Sequence, residues 1–185
     1  MFVFFRRLII DLYNEIPEKV FEGLISIFCL VGVFIICVYG FKKGWRKVSG
    51  LLLIEYFFLT LCSTVLVRSY SEKLGFNFTP LWSYMEIAKD GRIDLIADNV
   101  MNVLVFVLFG LFVGMTFAQI KWWQVLLFGC GISVLIETLQ FALKRGFAET
   151  DDVMHNTLGC LIGYGLYTLV KYAYDKLAKK NLAVL

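Results

Sequence analysis

Glu137 and Gln140 are polar side chains in an otherwise apolar stretch, and their spacing of three residues places them on one face of a helix. An ionisable side chain inside a bilayer costs several kcal/mol unless it finds partners, so Glu137 is expected to face other helices or a polar cavity. Lys144 and Arg145 follow closely enough to help neutralise it. Glu137 is therefore either a hydrogen-bonding anchor between helices or a functional carboxylate.

An acidic cluster, Glu149, Asp151 and Asp152, precedes the last apolar run and is followed by His155 and Asn156. Carboxylates stabilise the positive end of a helix dipole, so Asp151 or Asp152 is a candidate helix N-cap. With the amide of Asn156, the same acids could instead bind a hard divalent cation or a cationic head group. An aspartate near a histidine also suits acid-base catalysis, although a single histidine at a membrane interface is more often a polar anchor. The cluster is a candidate site on each of these interpretations.

Asn99 and Asn102 lie three residues apart at the start of another apolar run and share one helix face. Their amides could hydrogen-bond across to Glu137, Gln140 or Asn156. Both asparagines are therefore candidate binding residues.

Two G-x-x-x-G patterns occur in the apolar runs, at Gly110 and Gly114 and at Gly159 and Gly163. Glycines spaced in this way allow helix backbones to approach closely in a membrane. The pattern is short and glycine is common in membrane helices, so it is a weak signal.

The elements that must position these residues are predicted from hydropathy. The chain has 185 residues, of which 59% are hydrophobic, against roughly 45–50% in soluble domains. Apolar runs of about 20 residues suffice to cross a hydrocarbon core about 30 Å thick. The predicted spans are residues 20–41, 48–67, 98–117, 125–143 and 153–173. The predicted fold is an all-α integral membrane bundle of about five transmembrane helices over residues 20–185, preceded by an N-terminal interfacial amphipathic helix over residues 1–19.

Charge and cysteine usage exclude several classes of protein. The net charge of +3 is modest and no block of like charge resembles a nucleic-acid-binding tail, so no nucleic-acid partner is predicted. The five cysteines stand singly in apolar runs, which is typical of small hydrophobic side chains rather than of a disulfide framework or a zinc site.

Clustered cations predict the orientation of the bundle. Residues 42–47 contain four cations, and the C-terminal tail is rich in lysine. Short cation-rich loops near helix ends favour the cytoplasm, so the N-terminus is predicted outside and the C-terminus in the cytoplasm. With five spans, the loop 68–97 and the polar ends of the last three spans then share the outer half of the membrane. We therefore expect one polar site there. The lipid bilayer itself is also a predicted partner.

The polar residues also form a pattern that resembles the VanZ-like family of small bacterial membrane proteins. The resemblance covers residues 77–167 and is carried by Asn77-x-x-Pro80, Asn102 to Phe106, Gly110, Glu137-x-x-Gln140, Arg145, and Glu149-x-Asp151-Asp152-x-x-x-Asn156-x-x-Gly159-x-x-x-Gly163. The chain has Leu108 where the family commonly has proline, and His155 where it usually has an aliphatic residue. The founding member is associated with resistance to the glycopeptide teicoplanin, and the resemblance implies the same association for this chain.

Three hypotheses for function remain open from the sequence. The first is a non-enzymatic protein of the bacterial cell envelope whose outward site binds a lipoglycopeptide drug, an outer-leaflet lipid or a cell-wall precursor. The second is a membrane enzyme acting on such a lipid or precursor, with Glu137 or Asp152 as general base and Arg145 holding a phosphate or carboxylate. The third is a transporter or scaffold. The sequence leaves the ligand, any cofactor and any metal requirement open.

Overall fold

The computed structural model describes residues 45–66, 68, 70, 75–117 and 119–182. The predicted interfacial helix 1–19 and the predicted first span 20–41 lie outside the described residues.

Helices dominate the described chain, which confirms the predicted all-α fold. Helix α1 (Trp45–Leu61) continues into a π-helical turn (Cys62–Leu66) and is followed by strand β1 (Phe76–Asn77), helix α2 (Trp82–Asp90), helix α3 (Asp94–Thr116), helix α4 (Trp122–Ala142), strand β2 (Ala148–Glu149) and helix α5 (Thr150–Leu182). The two short strands pair in parallel, with Phe76 opposite Ala148 and Asn77 opposite Glu149. This pair ties the loop before α2 to the loop before α5.

Three of the described helices are long and apolar enough to cross a membrane. They are Trp45–Val65, Asp94–Thr116 and Trp122–Ala142, of 21, 23 and 21 residues. At about 1.5 Å per residue each exceeds the roughly 30 Å of a hydrocarbon core. Helix α5 has 33 residues, with a polar N-terminal turn and a lysine-rich C-terminal part. The described chain is an all-α membrane bundle, and the crossing by α5 stays a prediction.

Helices α3 and α5 run parallel and touch backbone to backbone at glycines. A Cβ added at Gly159 or Gly163 would meet the carbonyl oxygens of Val103 and Val107, and one added at Gly110 would meet the carbonyl of Cys160. The contact uses both glycine patterns of the sequence, because only a residue without a side chain leaves room for such an approach. The N-termini of α3 and α5 consequently lie at the same end of the bundle.

Helices α1 and α4 run antiparallel to this central pair. Tyr56 of α1 donates a hydrogen bond to the Val105 carbonyl at 2.8 Å, and Ser49, earlier in α1, pairs with Thr116 at the far end of α3. On the other side, the Cys160 side chain would contact a Cβ at Gly129, while Ser133 accepts a bond from Asn156. The C-terminal ends of α1 and α4 therefore meet the N-terminal ends of α3 and α5.

Candidate functional site

The site lies where these four helix ends converge, covered by α2 and the two short strands. The ten residues that the sequence singles out all lie at this end of the bundle: Asn99, Asn102, Glu137, Gln140, Arg145, Glu149, Asp151, Asp152, His155 and Asn156. Antiparallel packing is the cause, since polar residues at the start of α3 and α5 and at the end of α4 must then share one level.

A large polar cavity of about 580 Å³ occupies the centre of this end. Its charged lining comprises three arginines and three acids, namely Arg68, Arg92, Arg145, Asp98, Glu149 and Asp152. Trp82, Ser83, Asn99 and Asn102 add neutral polar groups. The lining therefore offers groups for an anion and groups for a cation or a hydroxyl within one cavity.

A smaller cavity of about 230 Å³ adjoins it. Arg68, Asn102 and Asp152 line both cavities. The smaller cavity is otherwise walled by the hydroxyl residues of the π-helical turn, by apolar residues of α3 and α4, and by Glu137, Gln140 and Asn156. The two cavities together connect nearly all the predicted polar side chains.

Asp152 and Asn102 form the direct link between α5 and α3. The Asn102 amide donates a 2.7 Å hydrogen bond to Asp152 Oδ1. A carboxylate oxygen accepts hydrogen bonds, so the orientation of the Asn102 amide is fixed by this contact. Asp152 is thereby held at the boundary between the cavities.

Glu137 and Glu149 form a second link, between α4 and the strand before α5. The backbone N–H of Glu149 donates to Glu137 Oε2 at 3.0 Å, and the Trp82 indole donates to Glu149 Oε2 at 3.2 Å. Burial raises the pKa of Glu149 to about 7, and the nearby negative charge of Asp152 adds to the shift. Glu149 can therefore gain or lose a proton near neutral pH.

Asp151 is engaged with α2 rather than with the cavities. Its carboxylate accepts from the backbone N–H of Leu81 at 2.5 Å and from the N–H and hydroxyl of Ser83 at 3.0 and 2.6 Å. Asn99 donates in turn to the Ser83 hydroxyl at 3.0 Å. Asp151 thus caps the start of α2 from another helix and secures α2 against α5.

His155 also contacts α2. Its Nε2 lies 2.8 Å from the Tyr84 hydroxyl, and the buried ring lines neither of the two cavities. This placement agrees with a polar anchor between helices.

Arg145 and Arg68 are joined by a hydrogen bond from Arg145 Nη1 to the Arg68 carbonyl. Arg145 is buried and lines the larger cavity, whereas Arg68 lines both and so shares the smaller cavity with Glu137. Gly146 leaves room for Arg68, because a Cβ there would stand 2.8 Å from Arg68 Nη1. Sequence reasoning missed Arg68 as a site residue. The available signal was a cation at the end of an apolar run on the same predicted side as Arg145.

The acidic residues that the structure describes do not assemble into a metal-binding group. Within the described ranges, no set of three or more histidine, cysteine, aspartate or glutamate residues is placed to hold a metal ion. The divalent cation considered from the sequence thus gains no geometric support here.

Comparison with known proteins identifies the family. The sequence profile of the VanZ/LLP1 family matches residues 27–171. The chain belongs to the VanZ/LLP1 family. The matched VanZ/LLP1 region contains every residue that lines the two cavities.

A curated relative is similar over a shorter region. Protein VanZ of Enterococcus faecium is 27% identical over 101 residues, which cover 52% of this chain and 63% of that protein. The chain therefore spans less than two thirds of this VanZ relative. No solved structure matches the chain significantly.

Proposed function

We propose that this VanZ-like membrane protein lowers the susceptibility of the cell to teicoplanin-type lipoglycopeptide antibiotics, through a polar site at the outer face that binds drug, lipid or cell-wall precursor. Family membership supports the association with resistance, and the predicted topology supports the outward face.

The observation that carries the proposal is the charged cavity itself. Six ionisable side chains from separate parts of the chain surround about 580 Å³, within the range of roughly 300–1,000 Å³ typical of ligand sites. Charged groups are costly in a membrane bundle and are usually retained where they act on a ligand or a pathway. The glycine contacts between α3 and α5 and the apolar core are built from other residues.

The surroundings of the cavity fit an amphiphilic ligand. An apolar pocket of about 270 Å³ is lined by Phe76, Phe78 and Phe141, and shares Glu149 with the charged cavity. A polar group in the charged cavity would place an attached acyl chain near these phenylalanines. This arrangement supports lipid-linked ligands over fully water-soluble ones.

The test is drug susceptibility in a teicoplanin-susceptible host that expresses the chain. Asp152→Asn removes a carboxyl group from the cavity at nearly constant size, and Arg145→Gln replaces the guanidinium with a shorter neutral amide. Asp175→Asn is the matched control, since Asp175 is exposed near the other end of α5. The minimum inhibitory concentration of teicoplanin should rise several-fold with the wild type and the control, and return to the vector level with both cavity variants at equal membrane abundance.

Two results would contradict the proposal. One is a wild-type chain that leaves teicoplanin susceptibility unchanged. The other is a pair of cavity variants that protect as well as the control.

Teicoplanin without its acyl chain is a useful second drug. Protection should be weaker against it, because it cannot use the apolar pocket.

An enzyme acting on an outer-leaflet lipid or peptidoglycan precursor is the second candidate. The observation that favours it is the Glu149 carboxyl, whose pKa near 7 suits proton transfer and which shares the charged cavity with Asp152 and Arg145. Asp152 or Glu137 would then serve as general base and Arg145 would hold the anionic group. Identical lipid and precursor profiles in cells with and without the protein would exclude it.

A further inference from the structure

Two buried hydrogen-bond acceptors beside the smaller cavity lack donors among the described residues. Gln140 is 3% exposed and Asn156 is 5% exposed, yet Gln140 Oε1 and Asn156 Oδ1 have no partner among the described residues. Buried polar atoms in native proteins nearly always have a partner, so two orphaned acceptors beside one cavity point to a donor that enters it.

The orientation of the Gln140 amide is fixed by its own donor. Gln140 Nε2 donates to the Thr64 carbonyl at 3.0 Å, and a carbonyl can only accept. Turning the amide over would set two oxygens against each other. In the structure the Asn156 amide donates, at 2.8 Å, to the Ser133 hydroxyl, a group that can also donate. Each side chain thus gives one N–H of its amide to the protein and has its oxygen left for the cavity.

Two carboxyl groups add further hydrogen-bond acceptors to the lining of this cavity. Glu137 and Asp152 contribute carboxylates, and Arg68 is the cation among the residues that line the cavity. A positively charged group with several N–H donors would bind the orphaned oxygens and pair with a carboxylate. A primary ammonium has three N–H donors and no acceptor, which matches this lining.

The larger cavity offers arginine side chains for an anion beside that ammonium. Arg68 and Arg145 line it, and arginine binds phosphate through paired N–H donors. Arg68 and Asp152 belong to both cavities, so an ammonium in the smaller one lies close to an anion in the larger one. The smaller cavity, at about 230 Å³, has room for an aminoethyl group, since one water takes about 30 Å³.

We propose that the site binds a phosphoethanolamine head group, with its primary ammonium in the smaller cavity, on Gln140, Asn156 and the two carboxylates, and its phosphate on Arg68 and Arg145. The inference rests on the proposed function in that it names the class of ligand for the same site. The chemistry is common to an ethanolamine phospholipid and to soluble phosphoethanolamine.

The experiment compares two lipids whose ammonium groups carry the same charge, one with three N–H donors and the other with three N-methyl groups. The full chain, purified in detergent, is offered equal amounts of phosphatidylethanolamine and phosphatidylcholine with identical acyl chains, and retained lipid is counted by native mass spectrometry. Choline carries the same charge but no N–H group. Because bonds to a charged donor are the stronger class, the wild type should retain phosphatidylethanolamine at least about tenfold better.

Two variants test whether Gln140 causes the preference for phosphatidylethanolamine. Gln140→Met removes the orphaned acceptor, together with the bond from Nε2 to the Thr64 carbonyl, at similar size and should cut the preference to below about threefold. Gln119→Met changes an exposed glutamine near the opposite end of the bundle and should leave the lipid preference intact.

Soluble phosphoethanolamine, titrated into the lipid-bound protein, distinguishes a membrane lipid from a soluble head group as the ligand. Displacement at millimolar concentration supports recognition of the shared head group by itself, and displacement only by the lipid supports a membrane lipid as the ligand.

Equal retention of the two lipids by the wild type would overturn the inference without any variant, so misfolding of Gln140→Met cannot protect it. A folded Gln140→Met protein with the full wild-type preference would overturn it as well. If the lipid preference is absent while Asp152→Asn still abolishes protection against teicoplanin, only this inference fails. If the preference is present and the wild type gives no protection, only the proposed function fails.

Discussion

Gly163 is a position where the backbone of α5 contacts the backbone of α3, and it allows a quantitative test of the packing. A Cβ there would meet the Val107 carbonyl and would stand 3.0 Å from the Leu111 nitrogen. Backbone atoms inside a helix cannot turn aside as a side chain can. Gly163→Ala should therefore push α3 and α5 apart along the contact that brings Asp152 to Asn102.

The expected magnitude combines two opposing effects. Overpacking a close contact costs about 1–3 kcal/mol, and more where the neighbour is rigid. Replacing glycine by alanine inside a helix returns about 1 kcal/mol. A net loss of about 2 kcal/mol is expected at Gly163. Gly165→Ala is the matched control on the same helix, because a Cβ at Gly165 meets nothing within 4 Å and only the helix-propensity gain remains.

Thermal unfolding of the purified variants in one detergent measures the difference. For a chain of this size a loss of about 2 kcal/mol lowers Tm by roughly 4–8 °C. Gly163→Ala should fall in that range below the wild type, while Gly165→Ala should melt at the wild-type temperature or slightly above it. Equal melting temperatures for the two alanine variants would refute the backbone contact and, with it, the parallel register of α3 and α5.

Other predictions concern the polar end of the bundle. Asp151→Ala leaves two backbone N–H groups and the Ser83 hydroxyl without their acceptor, so stability should fall by at least about 2 kcal/mol in denaturant unfolding, and an unchanged midpoint would remove the cap assigned to this residue. The raised pKa of Glu149 means that the folded state binds its proton more tightly than the unfolded state, so this group favours folding at low pH and loses that contribution as pH rises from about 4.5 to about 7. Glu149→Gln should flatten that part of a Tm-against-pH curve while Asp175→Asn does not, and parallel curves for all three proteins would contradict the assignment. Arg68→Gln should reduce protection against teicoplanin as Arg145→Gln does, and full protection would remove Arg68 from the site.

Hydropathy and residue spacing predict the all-α membrane fold and the end of the bundle at which the polar residues gather. Successive spans cross the membrane in opposite directions, so residues at the start of one span and at the end of the next lie at the same side of the membrane. This prediction requires no knowledge of side-chain contacts. The observed α4, Trp122–Ala142, lies close to the interval 125–143 predicted from hydropathy. The short helix α2 is a different case, since its nine residues lie inside what the sequence shows only as a polar loop.

The partners of individual side chains could not be predicted in this way. Asp151 and Asp152 are neighbours with the same chemistry, yet one caps α2 and the other joins the cavities. Their different roles follow from the rotation of about 100° between successive helix residues and from which element packs on each face. The position of Arg68 beside Glu137 could not be predicted either, because it depends on the end of α1 meeting the end of α4.

The charged cavity should hold a ligand in the native protein. Untargeted mass spectrometry of the molecules that copurify with the chain tests it most directly, with Asp152→Asn and Asp175→Asn purified in parallel. We expect a species that is enriched in the wild type and in Asp175→Asn and lost from Asp152→Asn. Identical profiles for the three proteins, all folded and in equal amount, would contradict it.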